Sequence, residues 1–317
     1  MQLQPIHIYD SAWSSTFSHL VAPKHDEWFP GLLLRCDEVN HWESGATLAH
    51  LLRSSGGYHL RGKPSWIVVP SSVLELLAQV LAVPVNILVS TTYQLELASL
   101  YDTSSPHATY LRRSFPFHLC PACIAEGRLL KRTLILPHIT CCPSHQVALV
   151  DICRCGTPLQ LFPRQSLPFT CQECCLDWAK LPRLANDRES IALERKLMAY
   201  YEFFFANGTP MILARAQQLV RQRVRKKKVD RVKCFDGNMK YVECYDAKRM
   251  SLGYLIELLV SLDLSLHDIV AYEGLLPWWS LKPQTFYGLV PTDTELRVKN
   301  TNALQLDDGA EASAWDD

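Results

Sequence analysis

Long apolar runs are missing from these 317 residues. None approaches the roughly 18 residues that a membrane-crossing helix needs, so no membrane partner is expected. Excess charge of one sign is missing too, since 32 basic side chains face 32 acidic ones. Nothing global calls for a polyanionic partner, and any nucleic-acid surface has to be local. The N-terminus shows no basic patch followed by an apolar stretch, so no secretory leader is expected. The expected compartment is a reducing cytoplasm, which favours thiolates over disulfides. No Walker A sequence occurs, which excludes a P-loop ATPase. No triad or carboxylate pair of recognisable spacing occurs, so no catalytic residue is assigned and no enzyme is expected.

Cysteine, by contrast, is plentiful, with twelve in the chain. Nine of them lie between His118 and Trp178, and seven of these, with one histidine, form four close pairs. Cys120 and Cys123 flank Pro-Ala; Cys142 and His145 flank Pro-Ser. Cys153 and Cys155 enclose one arginine; Cys171 and Cys174 flank Gln-Glu. Two short loops that each offer two soft ligands can complete a tetrahedral zinc shell. The spacing therefore predicts two Zn2+ sites. The first is Cys120, Cys123, Cys142 and His145; the second is Cys153, Cys155, Cys171 and Cys174. The alternative is disulfides or scattered core cysteines, which a reducing compartment disfavours. Cys141 and Cys175 neighbour proposed ligands. Cys142 is preferred because Cys-Pro-x-His turns as Cys-Pro-x-Cys does, and Cys174 because it completes Cys-x-x-Cys. Cys36, Cys141, Cys175, Cys234 and Cys244 are left over, most of them expected as buried small hydrophobes.

His41-Trp-Glu43 followed by Cys120 and Cys123 shares elements with the zinc deaminase signature. Here proline follows the first cysteine instead of preceding it, and Cys142 with His145 would close the shell against water. A deaminase is not expected.

Around the cysteines the chain reads as helical. The aromatics Trp13, Phe17, Trp28, Phe29 and Trp42 are expected in a core or docking edge, with an exposed anchor as the alternative. Trp28 leads into a helix. Ser44 is expected to cap a helix to Ser54. Ser72 and Glu75 form a capping-box pattern before Val73, Leu76, Leu77, Val80 and Leu81. Pro84 ends that helix, and Asn86 is expected to cap one running to about Leu100. Helix, tight turn, helix suits a DNA-entering helix-turn-helix, although many hairpins that touch no DNA look alike. Asp187 to Ala206 reads as an amphipathic helix with Leu193, Leu197, Tyr200 and Phe204 on one stripe, and Pro210 opens the next. Residues 221–233 hold eight basic side chains and one acidic one. Asp236-Gly237 between β-prone runs signals a hairpin. Ser251 to Leu262 reads as a further helix, and Ser265 with Asp268 as a capping box. The segment 258–270 aligns loosely with 76–88, as if one helical hairpin occurred twice. Residues 301–317 are expected as an acidic disordered tail.

Arg128, Lys131 and Arg132 are one candidate phosphate-contacting cluster. Arg221, Arg223, Arg225, Lys226, Lys227 and Lys228 are another. In both, a solvated face is the competing reading.

The run Cys120-Pro-Ala-Cys123, Leu136-Pro-His-Ile-Thr140, Cys142-Pro-Ser-His145-Gln-Val-Ala-Leu149-Val-Asp151 and Cys155-Gly-Thr-Pro-Leu159 resembles the TniQ/TnsD family. Those proteins select targets for transposons that move with an AAA+ ATPase. The likeness is specific over about 118–178 and looser outside it. Cys153-Arg-Cys155 departs from the commoner Cys-x-x-Cys. The resemblance implies an adaptor of the short TniQ type. Its partners would be the AAA+ transposition ATPase, an RNA-guided CRISPR effector complex with its guide RNA, and double-stranded DNA. Longer members bind a fixed attachment sequence directly. A zinc-dependent DNA-binding regulator and a zinc scaffold with protein partners only are the rivals. The expected fold is mainly α with small zinc-ribbon or zinc-finger β hairpins. Its parts are an N-terminal helix-turn-helix domain (1–110), a tandem zinc module (111–182), a C-terminal helical domain (183–300) and the tail (301–317).

Overall fold

A computed structural model of the chain describes residues 17–54, 66–104, 106, 110–111, 117–163, 165–227, 231–233, 239–241 and 250–274. These all lie in one unit, Met1–Leu276. Trp13, Cys234, the Asp236-Gly237 turn, Cys244 and the tail lie outside the described residues.

The described residues are mainly helical. Helix α1 (Phe29–Val39) has Pro30 in its first turn and Asn40 as its C-cap. Helix α2 (Ala46–Ser54) follows, then α3 (Ser71–Leu81), α4 (Val85–Val89) and α5 (Gln94–Tyr101). Helix α6 (Pro121–Gly127) opens the cysteine-rich region, which is otherwise built of turns, isolated bridges and short 3-10 segments. Helices α7 (Arg188–Asn207) and α8 (Pro210–Lys227) form the longest pair. Strands β1 (Arg231–Lys233) and β2 (Met239–Tyr241) pair antiparallel with Val232 opposite Lys240. Helices α9 (Leu252–Ser261) and α10 (Leu266–Val270) close the described fold.

Several starts differ from the sequence reading. Ser44 does not cap α2. Asp37 on α1 does so from a distance, accepting from Gly45 N and Thr47 N at 2.7 Å each. The Ser72–Glu75 capping box is not formed, because α3 begins at Ser71, with Pro70 as N-cap two residues before Ser72 and no side-chain cap. The helix expected from Asn86 to Leu100 is two, α4 and α5. Thr91 and Thr92 turn their hydroxyls onto the carbonyls of Leu88 and Val89, which competes with helix continuation. On α7, Leu193 is exposed whereas Glu194 is buried. Asp187 caps α7 through Ser190 N, and Ser265 with Asp268 forms a full capping box on α10.

The loose internal repeat has a structural basis, one residue out of the alignment read from the sequence. Ala82 and Asp263 both adopt left-handed φ, 53° and 54°. Val83 N reaches Ala78 O at 3.1 Å, and Leu264 N reaches Leu259 O at 2.9 Å. Each helix thus ends in a Schellman motif and leads after two residues into a five-residue helix.

One large core joins the elements. Phe17, Trp28 and Phe29 meet α3 and α5 there, together with Tyr201 and Phe204 of α7 and Leu255, Leu258 and Leu259 of α9. Cys120, Cys123 and Cys142 belong to it. A smaller core gathers Leu34, Ile124 and Leu130 with Cys153, Phe169, Cys171 and Trp178. Trp178 is fully buried, with Phe169 edge-on at 5.8 Å.

Two predictions concern this frame. Gly253 lies where α9 crosses Pro137, and a Cβ there would come within 2.6 Å of Pro137 Cγ and 2.9 Å of Leu111 O. Helix propensity favours alanine by about 1 kcal/mol, but overpacking costs about 1–3 kcal/mol. Gly253→Ala is therefore expected to lower stability in urea melts. Burial pushes the Asp37 carboxyl from 3.8 up to about 6, against the lowering effect of the Thr47 and Gly45 N–H groups. The fold then binds this proton more tightly than the unfolded chain. Its contribution is complete below about pH 4 and fades as pH rises through about 6, by up to about 3 kcal/mol. Asp37→Asn should flatten that part of the stability–pH curve.

Candidate metal centres

The first cluster is assembled from two tight turns. Cys120 is the N-cap of α6 in extended conformation and Pro121 begins the helix, so Cys123 lies one turn on, beside Cys120. Opposite, residues 140–149 form a narrow hairpin. Cys142 N bonds Val147 O at 2.8 Å and Gln146 N bonds Cys142 O at 2.7 Å. Gln146, at φ 55°, closes the turn that brings His145 back over Cys142.

Four ligand atoms meet there, all within 4.8 Å of one another. Cys123 Sγ lies 3.7 Å from Cys142 Sγ. His145 Nδ1 lies 3.5, 3.4 and 3.4 Å from the sulfurs of Cys120, Cys123 and Cys142. A tetrahedron with Zn–S of about 2.3 Å and Zn–N of about 2.05 Å has S···S edges of about 3.8 Å and S···N edges of about 3.6 Å. The donor set and its spacing fit zinc. A disulfide would bring two sulfurs to about 2.05 Å, and every described cysteine is free. The other imidazole nitrogen, Nε2, lies 2.9 Å from Glu126 Oε1. That is the carboxylate–histidine arrangement that fixes a ligand's tautomer and orientation.

The second cluster repeats the plan on smaller turns. Isolated bridges pair Ile152 with Pro158 and Thr170 with Asp177. Gly156 at φ 86° allows the one-residue Cys153-Arg-Cys155 loop to reverse. Cys153 Sγ is 3.6 Å from Cys174 Sγ, and Cys155 Sγ is 3.6 Å from Cys171 Sγ. These S···S edges also fit zinc. Cys153 and Cys171 are buried; Cys155 and Cys174 are exposed. Cys141 and Cys175 stand in neither cluster. Cys141 is buried beside the first, whereas Cys175 is exposed, so it is not one of the buried small hydrophobes the sequence suggested.

Protons show what the crowding means. Thiol donation from Cys120 and Cys123 holds Cys142 far below the ordinary thiol range. Cys123 is driven far above it by Cys120 and Cys142. Three sulfurs this close do not all ionise without a cation among them. In the second cluster the Thr157 hydroxyl draws Cys155 down to about 6, while burial pushes Cys153 up to about 12. Each cluster supplies four ligands, so a bound zinc would be closed and structural, with no position for a reactive water. His41 and Glu43 join neither cluster.

The candidate phosphate contacts are placed differently from one another. Arg128 caps α6 at φ 54°, forks onto Asp177 at 2.6 and 2.8 Å, and reaches Glu38 at 3.0 Å. Arg132 bonds Glu96 and Thr92 O and covers the Tyr93 ring at 4.8 Å. Both guanidiniums bridge parts of the fold. Lys131 reaches Ser144 at 2.8 Å. Arg221 is half-buried and Arg223 exposed on α8. The side chains of Arg225, Lys226 and Lys227, and all of Lys228, lie outside the described residues. The sequence reading missed Glu126, Asp177 and Glu194. Glu126, six residues after Cys120 on the same short helix, was the one with a local signal.

The TniQ family model matches residues 19–149. Residues 19–149 form a TniQ domain. The match contains the first cluster whole and ends before Cys153, so the second cluster lies outside the matched part. No curated protein matches the chain. A TniQ domain implies a role connected with transposition, and the family is one of non-catalytic transposition adaptors. No described helix of the chain is long and apolar enough to cross a membrane.

Elemental analysis of the purified protein is expected to return two zinc ions per chain. Cys142→Ser should lose one of them. Protons compete with metal for thiolates, so loading should be full at neutral pH and fall as the pH drops.

Proposed function

We propose that this TniQ protein is a target-site selection adaptor in DNA transposition. It bridges an AAA+ ATPase to a target-recognition complex, an RNA-guided CRISPR effector, on double-stranded DNA. Two Zn2+ ions hold the segment 111–182 between a helix-turn-helix segment (1–110) and a C-terminal helical segment (183–300).

The observation that carries this reading is a distribution of charge. Residues 66–111, which include the helix-turn-helix candidate α3–α5, contain no Lys or Arg. Val85, Ile87 and Leu95 are exposed on α4 and α5. DNA affinity comes mainly from neutralised phosphates, so a face without cations suits protein contact better than a groove. The cations are gathered at the end of α8 and in the segment after it, where Arg221, Arg223, Arg225, Lys226, Lys227 and Lys228 can follow a DNA backbone. The same run favours a second reading, direct recognition of an attachment site by the C-terminal part. Zinc-scaffold function without DNA is the third, and neutral substitutions along 221–228 that leave integration intact would support it.

The deciding experiment is capture of the transposon's ATPase with and without DNA. The adaptor should bind naked DNA weakly and gain affinity when the ATPase coats it. Sub-micromolar binding by the chain alone with a steep salt slope would establish the second reading instead.

A further inference from the structure

Glu194 is an acidic residue inside the fold, on the face of α7 turned to the first metal centre. Its side chain is buried, at 3% exposure. A single oxygen, Oε1, accepts from Thr140 N at 2.5 Å, Thr140 Oγ1 at 2.7 Å and Cys141 N at 3.1 Å. The other, Oε2, is buried with no partner among the described residues. No cation pairs with this carboxylate in any described ion pair; its bonds go to the two residues just before Cys142. A buried carboxylate is costly, and it persists where its hydrogen bonds hold something in place.

What it holds is one edge of the hairpin that carries Cys142 and His145. The opposite edge is held from the same part of the chain. Ala148 N bonds Leu184 O at 2.8 Å, and Asn186 N bonds Gln146 O at 3.1 Å. Both edges of this half of the metal centre are therefore completed by residues 184–194, beyond the 19–149 stretch that the family model matches.

We propose that Glu194 is a positioning residue for the first metal centre, so that metal loading there and docking of α7 stabilise each other. The coupling runs both ways by linkage. Whatever tightens the hairpin favours the metal, and metal that fixes the hairpin favours α7. Helix α8, with its basic end, packs on α7 and α9, so its seating is tied to the same event. This inference rests on the clusters binding metal and is independent of which partners the protein bridges.

The full chain loaded with Co2+ provides the test, because a site of three thiolates and one imidazole and a site of four thiolates give distinct absorption bands. Each band is titrated with a chelator in wild type, Glu194→Ala and Glu194→Gln. Glu194→Ala should weaken the histidine-containing centre by about 10- to 100-fold and leave the all-cysteine centre unchanged. Glu194→Gln, which keeps one acceptor oxygen, should lie between. Chelation of wild type should also speed amide exchange along α7, with no such response in Glu194→Ala. If Glu194→Ala does not fold, the glutamine variant and wild-type exchange carry the test. Equal weakening of both centres, unchanged affinity, or α7 exchange indifferent to metal overturns the proposal. Absence of cobalt bands in wild type overturns the metal reading itself, before any substitution is made.

Discussion

Three sulfurs and one imidazole nitrogen share a space about as wide as a zinc ion's coordination shell, and the fold is arranged to keep them there. In the first cluster the turn of α6 supplies two of them and the 140–149 hairpin the others. Neither turn has enough apolar surface to fix its own geometry. The main core supplies it, because Cys120, Cys123 and Cys142 are themselves members of that core. Short loops of this kind cannot build a core of their own. The structure has the cluster and the core together, with helices from both sides of the cysteine-rich region packed around the first centre.

The two clusters differ in how far they are withdrawn from solvent. The first is buried within the TniQ match. The second exposes two of its four sulfurs and stands on a small core of its own around Trp178. Charge ties the two regions. Arg128, at the end of the helix begun by Cys120, forks onto Asp177 of the second region and reaches Glu38 on α1. A partly exposed ion pair adds little stability by itself. A fork that joins three segments fixes their relative orientation.

The internal repeat gives the same lesson about shape and surface. Helices α3 and α9 end through the same hydrogen bonds and each leads into a five-residue helix, yet their surroundings differ. The first copy stands in a stretch without one cation; the second follows the most basic run in the chain. Backbone geometry alone does not assign either to DNA.

Sequence spacing by itself determined the eight clustered residues and the choice of Cys142 and Cys174 over their neighbours, because two ligands on one tight turn are a local arrangement. It also pointed to the TniQ domain, and to the long helices α7 and α8, whose caps and apolar periods are local too. Tertiary structure alone decided the rest. Left-handed caps at Ala82 and Asp263 carry no glycine to announce them, so the register of the repeat was read one residue out. Asp37 caps a helix eight and ten residues ahead of it. Arg128 and Arg132 look like phosphate ligands in a list of residues, and become internal bridges only once Asp177, Glu38 and Glu96 are brought to them. Glu194 meets the hairpin of Cys142 and His145 from more than 50 residues away, and contacts of that separation leave no period in the chain, because they are set by how helices pack.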